Sequence, residues 1–156
     1  MTHDNGSPAG LLEHPLLRRL AAMDLDPDDF VIFGSGPLLA HGLRSGVSDL
    51  DIVARNQVWD YVHARGVHGR GRYSGDLIVS LWGPRLQFSR QWIPGSRHAD
   101  ELIADADVFA GLRFAPLRDV LAYKLRLRRP KDLFDISTLS GRLREEAGYG
   151  SRASSQ

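Results

Sequence analysis

Residues 30–53 read FVIFGSGPLLAHGLRSGVSDLDIV. An apolar run, Phe30 to Phe33, ends in Gly34-Ser35-Gly36, a short helical segment follows, and a second apolar run opens with Asp49-Leu50-Asp51. Side chains alternate faces along a strand, so two aspartates two residues apart share one face while Leu50 and Ile52 turn to the core. Like charges so placed repel unless a cation sits between them. A hard divalent metal carrying nucleotide phosphates meets that demand. The glycine turn offers the complementary half, with N–H groups at a helix N-terminus and the Ser35 hydroxyl as donors to phosphate oxygens. A tight turn or a solvated strand face explains either feature alone. Together they predict a phosphate-chemistry site.

More familiar glycine motifs are excluded. Leu39 stands where a dinucleotide fingerprint needs its third glycine, and no Gly-Lys-Ser/Thr follows as in a Walker loop. The Gly-x-Ser-x-Gly form of a hydrolase elbow is also unmet.

The chain has 156 residues, 42% hydrophobic and 25% charged, which predicts one globular domain over residues 10–146 with flexible ends at 1–9 and 147–156. A net charge of +1 advertises no nucleic-acid or membrane partner. Without cysteine there is no disulfide, thiolate metal site or Cys nucleophile. The start, MTHDNGSPAG, lacks the basic and apolar regions of a signal peptide, and no apolar run reaches a membrane span. A cytoplasmic location is the expectation, and oligomeric state leaves no trace in the sequence.

Outward from the opening stretch, Leu11 to Met23 has helical periodicity with Leu12, Leu16, Leu17 and Leu20 on one face. Asp26-Pro27-Asp28-Asp29 forms a turn into the first strand, and Pro37 suits the first turn of a helix over 37–43. Asp49 to Ala54 is the second strand. Gln57 to Ala64 reads as a helix with Val58, Tyr61 and Val62 inward, followed by a Gly/His-rich loop over 66–75. Leu77–Trp82 and Arg85–Trp92 are strands separated by Gly83-Pro84, with Trp82 and Trp92 as packing residues. A short helix near Ala99–Ala104, a helix from Pro116 to Arg128 and a last one from Lys131 to Glu145 complete the chain. The order implies an α/β (α+β) fold: a small mixed β-sheet with flanking helices and a helical C-terminal segment.

Only two of the twenty cationic Lys and Arg residues are lysines, Lys124 and Lys131. Lys124 falls in the middle of the apolar stripe formed by Leu117, Val120, Leu121, Leu125 and Leu127, with Arg128 one turn later. Two readings follow: the lysine stem snorkels toward the helix end, or this face opens onto a cleft where Lys124 meets a triphosphate. Asp132 suits the first turn of the last helix, whereas Asp135 caps, braces Arg128 or serves a site. The histidines show no metal-ligand spacing, and His41 reads as a surface residue or a border of the cleft.

With these features the chain resembles the nucleotidyltransferase superfamily, the polymerase-β-like fold. The family pattern is an apolar strand, Gly-Ser, a helix and Asp-x-Asp on the next strand, here Phe33-Gly34-Ser35 and Asp49-Leu50-Asp51, with Gly42-Leu43-Arg44 between them. Lys124 and the Arg128 to Asp135 segment are similar to stand-alone prokaryotic members, including AbiEii-like toxin relatives. The resemblance covers roughly residues 28–140.

It implies Mg²⁺ on Asp49 and Asp51 holding an NTP, ATP by default, with Gly34 and Ser35 on its β/γ-phosphates and Lys124 and Arg128 on nucleotide charge. A hydroxyl acceptor on a small molecule, protein or RNA would receive the NMP group. The family's usual third carboxylate falls at Gln87, which cannot act as a base. Asp76, at the start of the preceding strand, is the other acid nearby. Two further readings therefore stand beside transfer: a catalytically reduced module binding a nucleotide or phosphorylated ligand, and a small-molecule enzyme with changed chemistry.

Overall fold

The structure, a computed structural model, describes residues 10–72, 75–91 and 97–154 and comprises two compact units, Met1–Pro116 and Leu117–Gln156. The first contains one mixed sheet. Strands β1 (Phe30–Phe33), β2 (Leu50–Ala54), β3 (Val67–Arg70), β4 (Leu77–Leu81), β5 (Leu86–Ser89), β6 (Asp107–Phe109) and β7 (Leu112–Phe114) lie in the order β3-β4-β5-β2-β1-β7-β6. The β1–β7 and β2–β5 pairs are parallel and the rest antiparallel. Helices α1 (Pro15–Ala22), α2 (Gly36–Ala40), α3 (Asn56–Arg65) and α4 (Ala99–Ala104) belong to the same unit. The second unit is an α-hairpin of α5 (Leu117–Leu127) and α6 (Leu133–Ser154). The expected class, a mixed sheet with flanking helices and a helical C-terminal segment, describes this architecture.

Strand alternation builds the core. Ile32, Leu50, Ile52, Leu86, Phe88 and Val79 share one cluster with Leu16, Leu17 and Leu20 of α1 and Val58, Trp59 and Val62 of α3. Each such side chain contributes about 1.5–3 kcal/mol by leaving water. Val31, Phe33 and Val53, on the opposite parity, are equally buried but lie outside that cluster. The central strands are thus covered on both faces.

Several elements differ from the sequence reading, each for a local reason. Pro15 divides the first helix into a 3₁₀ turn, Leu11–Glu13, and α1, which His14 caps by accepting the Leu16 N–H. That offset buries Leu11 and leaves Leu12 40% exposed. In α3 Val58 and Val62 face inward as expected and Trp59 joins them, while Tyr61 turns out and stacks on Arg65.

Part of the expected loop over 66–75 is strand β3. Its four residues are exposed, so no hydrophobic alternation announces it, and it exists by pairing with β4. The β6–β7 hairpin is a second addition to the expected elements. Its signal is the turn Ala110-Gly111, both at positive φ, between Asp107-Val-Phe and Leu112-Arg-Phe. Trp82 lies in the β4–β5 turn beneath Arg19 and Arg85, and Trp92 is outside the described residues. Helix α6 continues to Ser154, well past Glu145, although Gly148 and Gly150 weaken it by about 1 kcal/mol each relative to alanine.

Candidate functional site

Strand pairing puts Phe33, Asp51, Gln87 and Ser80 in one row across β1, β2, β5 and β4. Paired residues on adjacent strands share a face, so Gln87 stands beside Asp51 on the side away from the main core cluster. Gln87 donates its side-chain N–H to the Pro84 carbonyl at 3.1 Å. Asp76 has the same strand parity as Ser80 but lies four residues further along, about 13 Å away at the rise of a strand. The position beside Asp51 therefore belongs to Gln87 and not to Asp76.

Asp51 is half-buried and fixed by the ladder. Asp49 is exposed and precedes the strand, which begins at Leu50 where its N–H meets the Arg85 carbonyl at 2.8 Å. The sheet thus orients one of the two carboxylates, and the expected strand start at Asp49 is one residue too early.

The turn after β1 approaches Asp51 closely. Gly34 has φ +63°, and a Cβ there would lie 2.5 Å from Asp51 Oδ2. A side chain there is disfavoured by the backbone conformation and would force the Asp51 carboxylate to move. Ser35 leads into α2, but its hydroxyl caps nothing there and accepts from Arg44 Nη1 at 3.1 Å. The turn offers fewer free backbone donors than the sequence suggests. Pro37 has no N–H, and the Leu38 and Leu39 N–H groups bond the Ser35 carbonyl. Arg44, passed over as a site residue, adds a guanidinium beside Ser35. Its only sequence signal is its place between the two motifs.

Lys124 is 2% exposed, so its ammonium neither snorkels to water nor lies open to a cleft, and two carboxylates hold it. Its Nζ lies 3.1 Å from Asp135 Oδ2 and 3.5 Å from Asp132 Oδ1. Arg129 completes the cluster with a bidentate fork, Nε to Asp132 Oδ2 at 2.7 Å and Nη2 to Oδ1 at 3.0 Å. Burial of Asp132 opposes its charge, but the Arg129 hydrogen bonds and the charges of Arg129 and Lys124 outweigh it and hold the carboxyl below its ordinary range. Asp132 therefore does more than complement a helix dipole, and Asp135 binds Lys124. Arg128 is exposed at φ +44°, just after α5, and turns its Nε to the Leu125 carbonyl at 3.2 Å. His41 is no surface residue: its side chain is 14% exposed, with Nε2 3.4 Å from Asp107 Oδ2 and its ring edge-on to Phe109.

Among the described residues no three or more His, Asp or Glu side chains gather as a metal site. Asp49 and Asp51 supply a smaller set of oxygen donors. That suits Mg²⁺, which keeps several waters and takes one or two carboxylates plus substrate phosphates. No helix of the described residues is long and apolar enough to cross a membrane. No family model, no curated protein and no solved structure matches the chain.

Proposed function

We propose that the chain is a Mg²⁺-dependent nucleotidyltransferase that moves an NMP group from an NTP, ATP by default, to a hydroxyl acceptor. The observation that carries this reading is the close approach of the Gly34-Ser35 turn to Asp51, with Arg44 bonded to Ser35. Small residues, a hydroxyl and a guanidinium meet the Asp51 carboxylate there, with Asp49 two residues before it in the chain, and these are the group types that a metal-bound triphosphate needs.

When bound, Mg²⁺ would supply charge neutralisation on the phosphates, held by Asp49 and Asp51. Arg44 and the Ser35 hydroxyl donate hydrogen bonds to phosphate oxygens. Gly34 keeps the turn low enough for them to approach Asp51. In the transfer, the acceptor oxygen bonds to the α-phosphorus, the α–β bridge breaks, pyrophosphate leaves and the hydroxyl proton passes to a base. Arg44, and not Lys124, is the cation beside Ser35 in this scheme, because Lys124 is engaged by Asp132 and Asp135.

A second reading has its own observation. Gln87 is in register with Asp51 where a third carboxylate would serve, and an amide cannot take the acceptor's proton. That favours a nucleotide-binding module without transfer. Incubation with Mg²⁺, each α-³²P-labelled NTP and a cell extract separates the two. Label transfer by the wild type that vanishes in Asp51→Asn is the expected result. Nucleotide binding without transfer by the wild type would leave the binding module.

A further inference from the structure

Net charge near zero conceals a local imbalance. Residues 61–72, YVHARGVHGRGR, carry three arginines and two histidines and no carboxylate. The fold gathers them at one margin of the sheet, the end of α3 and strand β3, the terminal strand in the order. Arg65, Arg70, Arg72, His63 and His68 are all exposed.

Ring and guanidinium faces run through this margin. The exposed His63 and His68 rings lie 4.4 Å apart, and His63 is also 5.7 Å from Trp59, which belongs to the core and offers no free face. Arg65 stacks on Tyr61 at 3.7 Å. Planar faces interleaved with cations suit a strand of unpaired bases on a charged backbone.

Two other occupants fit less well. A β-strand from a second copy would need a flat, uncharged edge, whereas β3 is four residues long, contains Gly69 and projects His68 and Arg70. A membrane surface would need an apolar face to insert, and Val67 is the one large aliphatic exposed on β3. Guarding an edge against strand pairing needs one charge. It does not account for Arg65 on the helix, Arg72 beyond the strand, or the stacked rings between them.

We propose that this margin binds single-stranded nucleic acid through its phosphates and unpaired bases. The inference stands independently of nucleotidyl transfer. The test is fluorescence anisotropy with a labelled, unstructured 20-nucleotide RNA at low salt, on the full chain. The single strand should bind more tightly than its duplex. Arg65→Ala/Arg70→Ala/Arg72→Ala should weaken binding about tenfold or more and flatten the salt dependence. A charge-matched triple elsewhere on the exposed surface, Arg18→Ala/Arg126→Ala/Arg144→Ala, should bind as the wild type does. Each margin arginine replaced singly should cost about two- to fivefold, so the result does not hang on one variant folding. Equal loss in both triples, no loss in the margin triple, tighter duplex binding, or margin-dependent binding to phosphatidylserine vesicles without RNA binding would each overturn the proposal.

Discussion

Gly34 links backbone conformation to site chemistry in a single residue. Its positive φ alone costs an alanine about 1 kcal/mol, and the Asp51 carboxylate stands where the methyl would go. Gly34→Ala should destabilise the fold by about 2–3 kcal/mol in urea unfolding. Adding Asp51→Ala should recover the steric part and leave about 1 kcal/mol. Failure of the double variant to recover would show that the two residues do not touch. Gln87 tests the chemistry. Gln87→Glu places an acid of nearly the same shape in register with Asp51, so Mg²⁺-dependent label transfer should rise about tenfold or more. An unchanged rate would mean that the base is elsewhere.

In the α5–α6 hairpin, a buried ion cluster replaces the apolar contact that helical periodicity would ordinarily supply. Lys124, Asp132, Asp135 and Arg129 satisfy one another, so the loss of one leaves an uncompensated buried charge. Lys124→Met should cost about 3–5 kcal/mol by denaturant unfolding, and a neutral result would contradict that burial. The cluster also has an acid limit. Because the folded Asp132 carboxyl titrates below its unfolded value, its stabilisation is full above the unfolded value, about pH 4, and is lost as pH falls through the depressed folded one. Urea midpoints measured from pH 7 to pH 2 should fall at the acid end in the wild type. Asp132→Asn should start lower and show a shallower acid fall. In the first unit Arg55 plays the comparable bracing part, joining Asp29 ahead of β1 to Asp100 of α4. The Asp100 hydrogen bond raises its pKa further and burial opposes the rise.

For the whole chain, ligand binding and stability are linked. A nucleotide that binds only the folded state at one hundred times its Kd adds about 2.7 kcal/mol. Mg²⁺-ATP should therefore raise the thermal midpoint of the wild type, EDTA should cancel the rise, and Asp51→Asn should show none. A midpoint that ignores Mg²⁺-ATP would remove the basis for both nucleotide readings. Sequence-distant pairing adds a kinetic consequence. Ile32 of β1 pairs with Phe114 of β7, so the sheet closes only after most of the first unit has been traversed.

Local pattern in the chain was enough to specify β1, β2, α5, the buried parity of Leu50 and Ile52, and the place of Lys124 on the apolar stripe of α5, because each follows from the period of a strand or helix. Gly34 as a turn and the outward parity of Gln87 were legible from local pattern too, while the place of Gln87 beside Asp51 was expected only from the family resemblance. What pairs with what was not. Strand β3 is polar and glycine-rich and exists by hydrogen bonding to β4. The β6–β7 hairpin reaches the sheet through one short parallel contact. The partners of Lys124 and Ser35 were equally hidden. Charge and hydroxyl chemistry are written in single residues, but which carboxylate or guanidinium lies within hydrogen-bond reach depends on how distant segments meet.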